Sequence, residues 1–237
     1  MSRRWIVTGG SRGMGLATAR IAAARGDRVA VLARSAHADG VANALGEHGM
    51  VVSADVSDPA SVERAVGEVA ARWDGIDVLV NNAGLHRGGK VDALSLEDWQ
   101  SVLDTNLSGA LHCIRAARPH MSAGASIVNV GAVVGFRGFP GDSAYGASKA
   151  GLAGLTTVLA MEFARDGIRV NLVVPGLVIT EMTSELDERA RERLVRKIPL
   201  GRVGEADEIA EVIWWVAGST YMTGAIVPTD GGLMCAL

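Results

Sequence analysis

The sequence predicts an α/β fold, a doubly wound parallel sheet of seven strands with helices on both faces, built as a single domain over residues 1–237. Three observations lead there. Short β-branched runs alternate with longer stretches of helical spacing along the chain. Ala, Val and Gly are abundant while only 4% of residues are aromatic, as expected where helices pack closely on strands buried on both faces. With 49% hydrophobic and 21% charged residues, a chain of this length can bury a full core and matches neither a disordered nor a fibrous composition.

The elements follow in order. A brief apolar run at 4–8 ends at Thr8 and glycines, and helical spacing takes over at 14–25. The next strand and helix are 28–33 and 38–48, followed by a strand at 50–53. Ser57, Asp58 and Pro59 are cap and first-turn residues that open a helix over 59–73. Residues 76–80 run into a pair of asparagines, and 97–119 carry apolar residues at helical spacing. Strands at 125–130, 168–174 and 225–228 alternate with helices at 143–165 and 205–217. Right-handed crossovers wind such repeats into an open sheet whose ligands bind at the carboxyl ends of the strands. One stretch breaks the alternation: residues 180–197 are dense in charge. They read as a solvated surface helix or, from their place after the sixth strand, as part of a substrate lid over 178–200.

Several classes are excluded. The balance of 23 Lys+Arg against 26 Asp+Glu, a formal charge of −3, rules out a strongly basic nucleic-acid binder. Two cysteines, Cys113 and Cys235, provide neither a disulfide framework nor metal-ligand spacing and fit a reducing, cytoplasmic setting. After Arg3 and Arg4 only Trp5, Ile6 and Val7 precede Thr8, far short of a signal-peptide core. The longest uncharged run, 212–229, is broken by Gly218, Ser219, Thr220, Gly224 and Pro228, so it predicts no membrane span. The expectation is a soluble cytoplasmic protein with no metal, nucleic-acid or membrane partner.

The chemistry begins at the first strand, which runs into Thr8-Gly9-Gly10-Ser11-Arg12-Gly13-Met14-Gly15 and then a helix. Glycines in that context allow a tight turn, close approach of backbone to a pyrophosphate and tight helix–strand packing, while the helix N-terminus attracts the anion. At the end of the second strand stand Ala33 and Arg34. An acidic residue there would bind the ribose 2′-hydroxyl, whereas an arginine accommodates a 2′-phosphate, so NADPH/NADP+ is favoured over NADH. Arg12 adds a second positive group. Tyr145 and Lys149 lie four residues apart, hence on one helix face. A neighbouring ammonium favours phenolate and makes the tyrosine a usable acid–base group.

Taken together, the glycine loop, Asn81-Asn82-Ala83-Gly84, Asn106, Tyr145-x-x-x-Lys149 and Pro175-Gly176 resemble the short-chain dehydrogenase/reductases in order and spacing across the whole chain, most closely the β-ketoacyl carrier-protein reductase branch. The resemblance implies a Rossmann-type fold, a homotetramer and hydride transfer between a nicotinamide and a carbonyl carbon. It implies that Tyr145 protonates the carbonyl oxygen, that Lys149 binds the nicotinamide ribose and lowers the tyrosine pKa, and that Asn106 holds a relay water. Gly9, Ser11, Arg12, Gly13, Met14 and Gly15 would cradle the phosphates, and Asp55 and Val56 would meet the adenine. Asn81, with Ala83 and Gly84 beside it, would line the groove. Val178 and Thr180, just past Pro175 and Gly176, would contact the nicotinamide end.

Two departures matter. The family's catalytic serine lies about a dozen residues before the tyrosine, and here Ala132 stands in that place, thirteen residues before Tyr145. The missing hydroxyl would donate a hydrogen bond to the carbonyl oxygen, a loss that typically costs about 10²–10³ in rate. Ser143 points to another side of the helix. His86 either overhangs the pocket as a proton source or is an ordinary loop histidine. Second, residues 121–126 carry no charge, although an acidic carrier protein needs a basic rim. Arg115, Arg118 and Arg165 remain nearby in sequence, but a free small-molecule ketone or alcohol is favoured over an acyl carrier protein. Phe136, Phe139, Leu177 and Met182 are candidate pocket walls. Trp214, Trp215 and the apolar tail 233–237 read either as an oligomer interface or as packing against the chain's own sheet.

Overall fold

In the computed structural model, residues 2–34, 38–179 and 188–235 are described. The order is β1 (Arg4–Thr8), α1 (Gly13–Ala24), β2 (Arg28–Ala33), α2 (Ala38–Leu45), β3 (Gly49–Ser53), α3 (Pro59–Trp73) and β4 (Ile76–Asn81). Then come α4 (Leu96–Leu103), α5 (Gly109–Ala117), β5 (Met121–Val130), α6 (Ser143–Phe163), β6 (Arg169–Pro175), α7 (Glu188–Val195), α8 (Ala206–Gly218) and β7 (Ile226–Thr229). The seven strands form one sheet in the order β3-β2-β1-β4-β5-β6-β7, and every neighbouring pair is parallel. The strand order reverses between β1 and β4, which opens a crevice at their carboxyl ends.

Strand alternation explains the two layers. Ile6, Leu79 and Ile127 face Val62 and Val66 of α3 and Ile114 of α5. Trp5, Val7, Val80 and Val128 face Ala19 and Ala22 of α1 and Ile209 and Ile213 of α8. Both sheet faces are therefore apolar, and the strands read as continuous hydrophobic runs. Small residues on α1 let that helix lie close to the sheet, which fixes the direction of its N-terminus. Asp58 caps α3 as the sequence predicts, its carboxylate accepting from the Ala60 amide at 3.0 Å.

The single helix predicted at 97–119 is three pieces. A π turn over Asp104–Ser108 separates α4 from α5, and a short 3₁₀ turn, Arg118–His120, ends the run. One extra residue in a turn leaves the apolar spacing on either side intact, so periodicity does not reveal it. The helix predicted at 38–48 ends at Leu45 and continues as a 3₁₀ turn over Gly46–His48. The strand β5 begins four residues early, at Met121; its exposed Ser122, Ala123 and Gly124 carry no β-branched signal.

Within the charged stretch, α7 is followed by exposed Arg196 and Lys197, while Ile198 turns in against Leu172 and Leu233. Thr180 and Met182 lie outside the described residues. At the opposite end of the sheet Trp214 is stacked between the guanidinium groups of Arg3, 5.1 Å from its ring centroid, and Arg25, at 4.0 Å. That tryptophan packs on its own chain, whereas Trp215 is 54% exposed. The tail also folds back: Leu233 is buried, and the Asp230 carboxylate accepts from the Gly232 and Met234 amides.

Candidate active site

A cleft of about 400 Å³ crosses the carboxyl ends of β1, β2, β4 and β5. One end is backbone. Gly9 has a φ of +62°, and a Cβ there would sit 2.8 Å from the Ala83 Cα. Gly15 lies behind the loop, where a Cβ would come within 2.5 Å of the Gly9 carbonyl oxygen and 2.4 Å of the Asn82 side-chain nitrogen. Only glycine lets α1 start this close to β4. Asn82 and Thr8 lock that approach. The Asn82 amide nitrogen donates to the carbonyls of Thr8 (3.0 Å) and Gly9 (3.1 Å), and the Thr8 hydroxyl accepts from the Asn82 and Ala83 backbone amides. Arg12 takes the N-cap position of α1 in extended conformation with no side-chain cap bond, so the first-turn amides face the cleft as an anion site.

Of the residues assigned to cofactor binding from the sequence, Gly9, Ser11, Arg12, Gly13, Met14, Arg34, Asp55, Val56, Ala83 and Gly84 line this cleft. Asp55 and Arg34 belong to its far end. The Ser57 hydroxyl and amide donate to the Asp55 carboxylate at 2.6 and 2.9 Å. These bonds, with the Arg34 charge, hold that carboxyl below its ordinary range against the opposing effect of burial. The His112 ring on α5 meets the Val56 carbonyl at 3.0 Å. A cleft with unblocked helix amides, a glycine cradle and two arginines matches the shape and charge of a phosphorylated dinucleotide.

Other predicted residues fall elsewhere. Gly15 packs the loop rather than lining the cleft. Asn81 is buried, donating to the Asn129 side-chain oxygen at 2.8 Å; successive strand residues point to opposite faces, so Asn82 lines the cleft in its place. Pro175, Gly176 and Val178 lie beyond the lining, with Val178 bridged to Gly204. Phe139 and Leu177 pack into the cluster around Leu172, while Phe136 is 37% exposed. Sequence reasoning missed Leu32, Ala54, Thr105, Val130 and Gly131 as lining residues, whereas Ala33 was singled out beside Arg34. Most are strand ends, and their only signal was position at the carboxyl edge.

The other end of the cleft is made of side chains. The Lys149 ammonium donates to the Val130 carbonyl at 2.8 Å and lies 5.6 Å from the Tyr145 ring centroid. Asn106, buried in the π turn just behind the cleft lining, is firmly anchored: its oxygen accepts from the Leu85 amide (2.7 Å), and its nitrogen donates to the Leu85 carbonyl (2.9 Å) and the Ser148 hydroxyl (3.0 Å). The Ser148 hydroxyl in turn donates to the Tyr145 carbonyl at 2.7 Å. Gly84 closes the group, since a Cβ there would lie 3.7 Å from the Asn106 oxygen and 3.8 Å from the Lys149 nitrogen. Ala132 is buried at the start of the turn after β5.

The acid–base shifts run against the expected tuning. Burial pushes the Lys149 ammonium down to about 8, and dehydration, with the Asp142 charge, pushes the Tyr145 phenol up to about 12. The desolvation of each group outweighs their mutual interaction across 5.6 Å.

Fold and cleft together define a nucleotide-dependent oxidoreductase of doubly wound architecture. Residues 9–234 match the family model described as enoyl-(acyl carrier protein) reductase. The chain is 45% identical to carbonyl reductase family member 4 of Danio rerio, with 98% of each chain covered. It is 42% identical to a 3-oxoacyl-[acyl-carrier-protein] reductase of Homo sapiens, with both covered fully. Among solved structures, a Serratia marcescens short-chain dehydrogenase/reductase double mutant superposes with a TM-score of 0.93 at 34% identity, covering 97% of each chain. A blue fluorescent protein from a metagenomic library in complex with NADPH gives 0.91 at 36% identity, covering 97% of this chain and 96% of that one. The chain belongs to the short-chain dehydrogenase/reductase family.

Proposed function

We propose that this oxidoreductase uses NADPH to reduce the ketone of a small to medium apolar substrate, or oxidises the corresponding secondary alcohol with NADP+, without the usual serine hydroxyl. The observation that carries the reading is convergence: Tyr145 and Lys149 line one end of a cleft, Lys149 and Asn106 meet there at Gly84, and the other end bears Arg12 and Arg34. The structural relative in complex with NADPH and the two relatives named for carbonyl and 3-oxoacyl reduction support the same assignment.

When bound, the nicotinamide supplies the hydride. Arg12 and the α1 amides hold the phosphates, and Arg34 faces the 2′-phosphate. Lys149 holds the nicotinamide ribose, and Tyr145 gives its phenolic proton to the carbonyl oxygen as negative charge develops there. Asn106, anchored by Leu85 and Ser148, would hold the relay water. From its place after β6 the segment 178–200 is assigned as the substrate lid, with residues 180–187 outside the described residues.

A free substrate is favoured over an acyl carrier protein because Arg118 is already paired with Asp166 and lies 5.3 Å from the Phe163 ring centroid. The exposed apolar side chains Val158 and Met161 on α6, and Trp215 and Tyr221 beyond the sheet, suit an oligomer interface, a homotetramer or a dimer. No helix among the described residues is long and apolar enough to cross a membrane.

Ala132 also favours a second reading, an NADP(H)-binding sensor or scaffold without turnover. The deciding experiment follows NADPH oxidation at 340 nm by this chain and its Ala132→Ser variant over a panel of ketones and β-keto esters. Restored serine is expected to raise kcat by about 10²–10³. NADPH binding with no turnover by either form supports the sensor.

A further inference from the structure

The loop after Gly84 is fastened to the segment that leads into α6. The Gly89 amide donates to the Gly141 carbonyl at 2.8 Å, and Gly89 bridges to Asp142 in parallel. On the same loop the His86 Nε2 sits 2.8 Å from the Asp142 Oδ1, and its ring stands edge-on to the Tyr145 ring, with centroids 5.2 Å apart and planes at 81°. Asp142 immediately precedes α6, three residues before Tyr145. Imidazole, carboxylate and catalytic phenol thus form one contiguous group.

The tautomer follows from the partner. An ionised carboxylate only accepts, so Nε2 carries a proton toward Asp142, and in the imidazolium Nδ1 is a second donor. The two serines nearest Tyr145 in sequence do not replace the missing hydroxyl: Ser148 donates to the Tyr145 carbonyl, and Ser143 is exposed.

We propose that His86, oriented by Asp142, supplies the second hydrogen bond to the substrate carbonyl oxygen that Ala132 cannot supply. This inference rests on the carbonyl-reductase reading. His86 keeps its proton throughout: as hydride reaches the carbonyl carbon, the C=O electron pair moves to oxygen, Tyr145 transfers the proton, and the imidazolium stabilises the developing charge. The groups facing His86 are Asp142, Arg87 beside it on the loop and Tyr145, with Lys149 one turn deeper on α6. Its pKa is raised by the Asp142 hydrogen bond and charge, against burial and the Arg87 charge. The cation therefore persists above the ordinary imidazole range, and its contribution disappears as pH rises through that raised value.

The test is a double-mutant cycle of His86→Asn with Ala132→Ser, with NADPH binding followed by nucleotide fluorescence in all four proteins. His86→Asn is expected to lower kcat by about 10² when residue 132 is alanine and by less than about 3-fold when it is serine. An alkaline fall in kcat from Lys149, at about 8, is common to both proteins; a further fall that His86→Asn removes is expected in the parent and absent from Ala132→Ser. Proton NMR of the His86 ring in the ligand-free protein should titrate above the ordinary imidazole value and return toward it in Asp142→Asn. Equal losses in both backgrounds would make His86 a structural clamp and overturn the proposal. So would activity that appears only with the restored serine, because the parent would then have no second donor. Failure of both the parent and Ala132→Ser to turn over any carbonyl while still binding NADPH would overturn the reductase reading, and this inference with it.

Discussion

The two ends of the cleft are built from different materials. At the nucleotide end, position is set by backbone: Gly9 in a left-handed turn, Gly15 against the Gly9 carbonyl, and α1 starting where those contacts allow. At the carbonyl end, position is set by side chains that reach across elements, with Asn106 tying the loop after β4 to α6 and His86 tying that loop to Asp142. A backbone cradle tolerates no added atom but is indifferent to chemistry elsewhere. A side-chain constellation can lose a member and be completed from another direction, as proposed above for Ala132 and His86. Substitutions at the two ends should therefore separate binding from turnover.

The largest separation is expected at Tyr145. Tyr145→Phe removes the proton donor while keeping the ring that stacks beside His86 and under the Lys149 ammonium. Turnover should fall by about 10²–10⁴, with NADPH affinity close to that of the parent in a fluorescence titration. A matching loss of NADPH affinity would mean that the phenol belongs to the cradle, and the division between the two ends would fail.

Gly15→Ala should do the reverse. The new methyl must push against a carbonyl oxygen at 2.5 Å and a side-chain nitrogen at 2.4 Å, and the backbone oxygen cannot swing away. Overpacking of this kind costs about 1–3 kcal/mol, to be read from urea unfolding. NADPH binding should weaken because α1 moves off its anion site. A variant of unchanged stability and affinity would show that the loop has slack the structure does not display.

This contrast also governs what was legible in the sequence. The parallel sheet and the glycine loop were, because each rests on a local pattern: period, glycine spacing and strand–loop–helix order. Tyr145 and Lys149 were, because four residues on a helix fix one face. Asn81 was misplaced by one position, since which of two adjacent asparagines faces the cleft depends on where β4 ends. The π turn at Asp104–Ser108 was invisible because it inserts a residue without disturbing the apolar stripe. The role of Asp142 carried no signal, because its partner is 56 residues away and meets it only when two loops close over Tyr145.

The smallest expected effect tests the nucleotide end without touching its backbone. Arg34 is exposed at the rim of the cleft beside Asp55, so water competes for whatever it binds. A charge-assisted hydrogen bond is worth about 1.5–3 kcal/mol, and exposure puts Arg34 at the low end of that range. Arg34→Ala should weaken NADPH about tenfold while leaving NADH affinity unchanged, and rising salt should erode the difference because a surface charge pair is screened. The paired cofactors make the outcome decisive. Equal weakening of NADPH and NADH would mean that Arg34 acts through the Asp55 turn and the adenine rather than through the 2′-phosphate. No change in either would leave Arg12 and the α1 amides as the phosphate-binding groups.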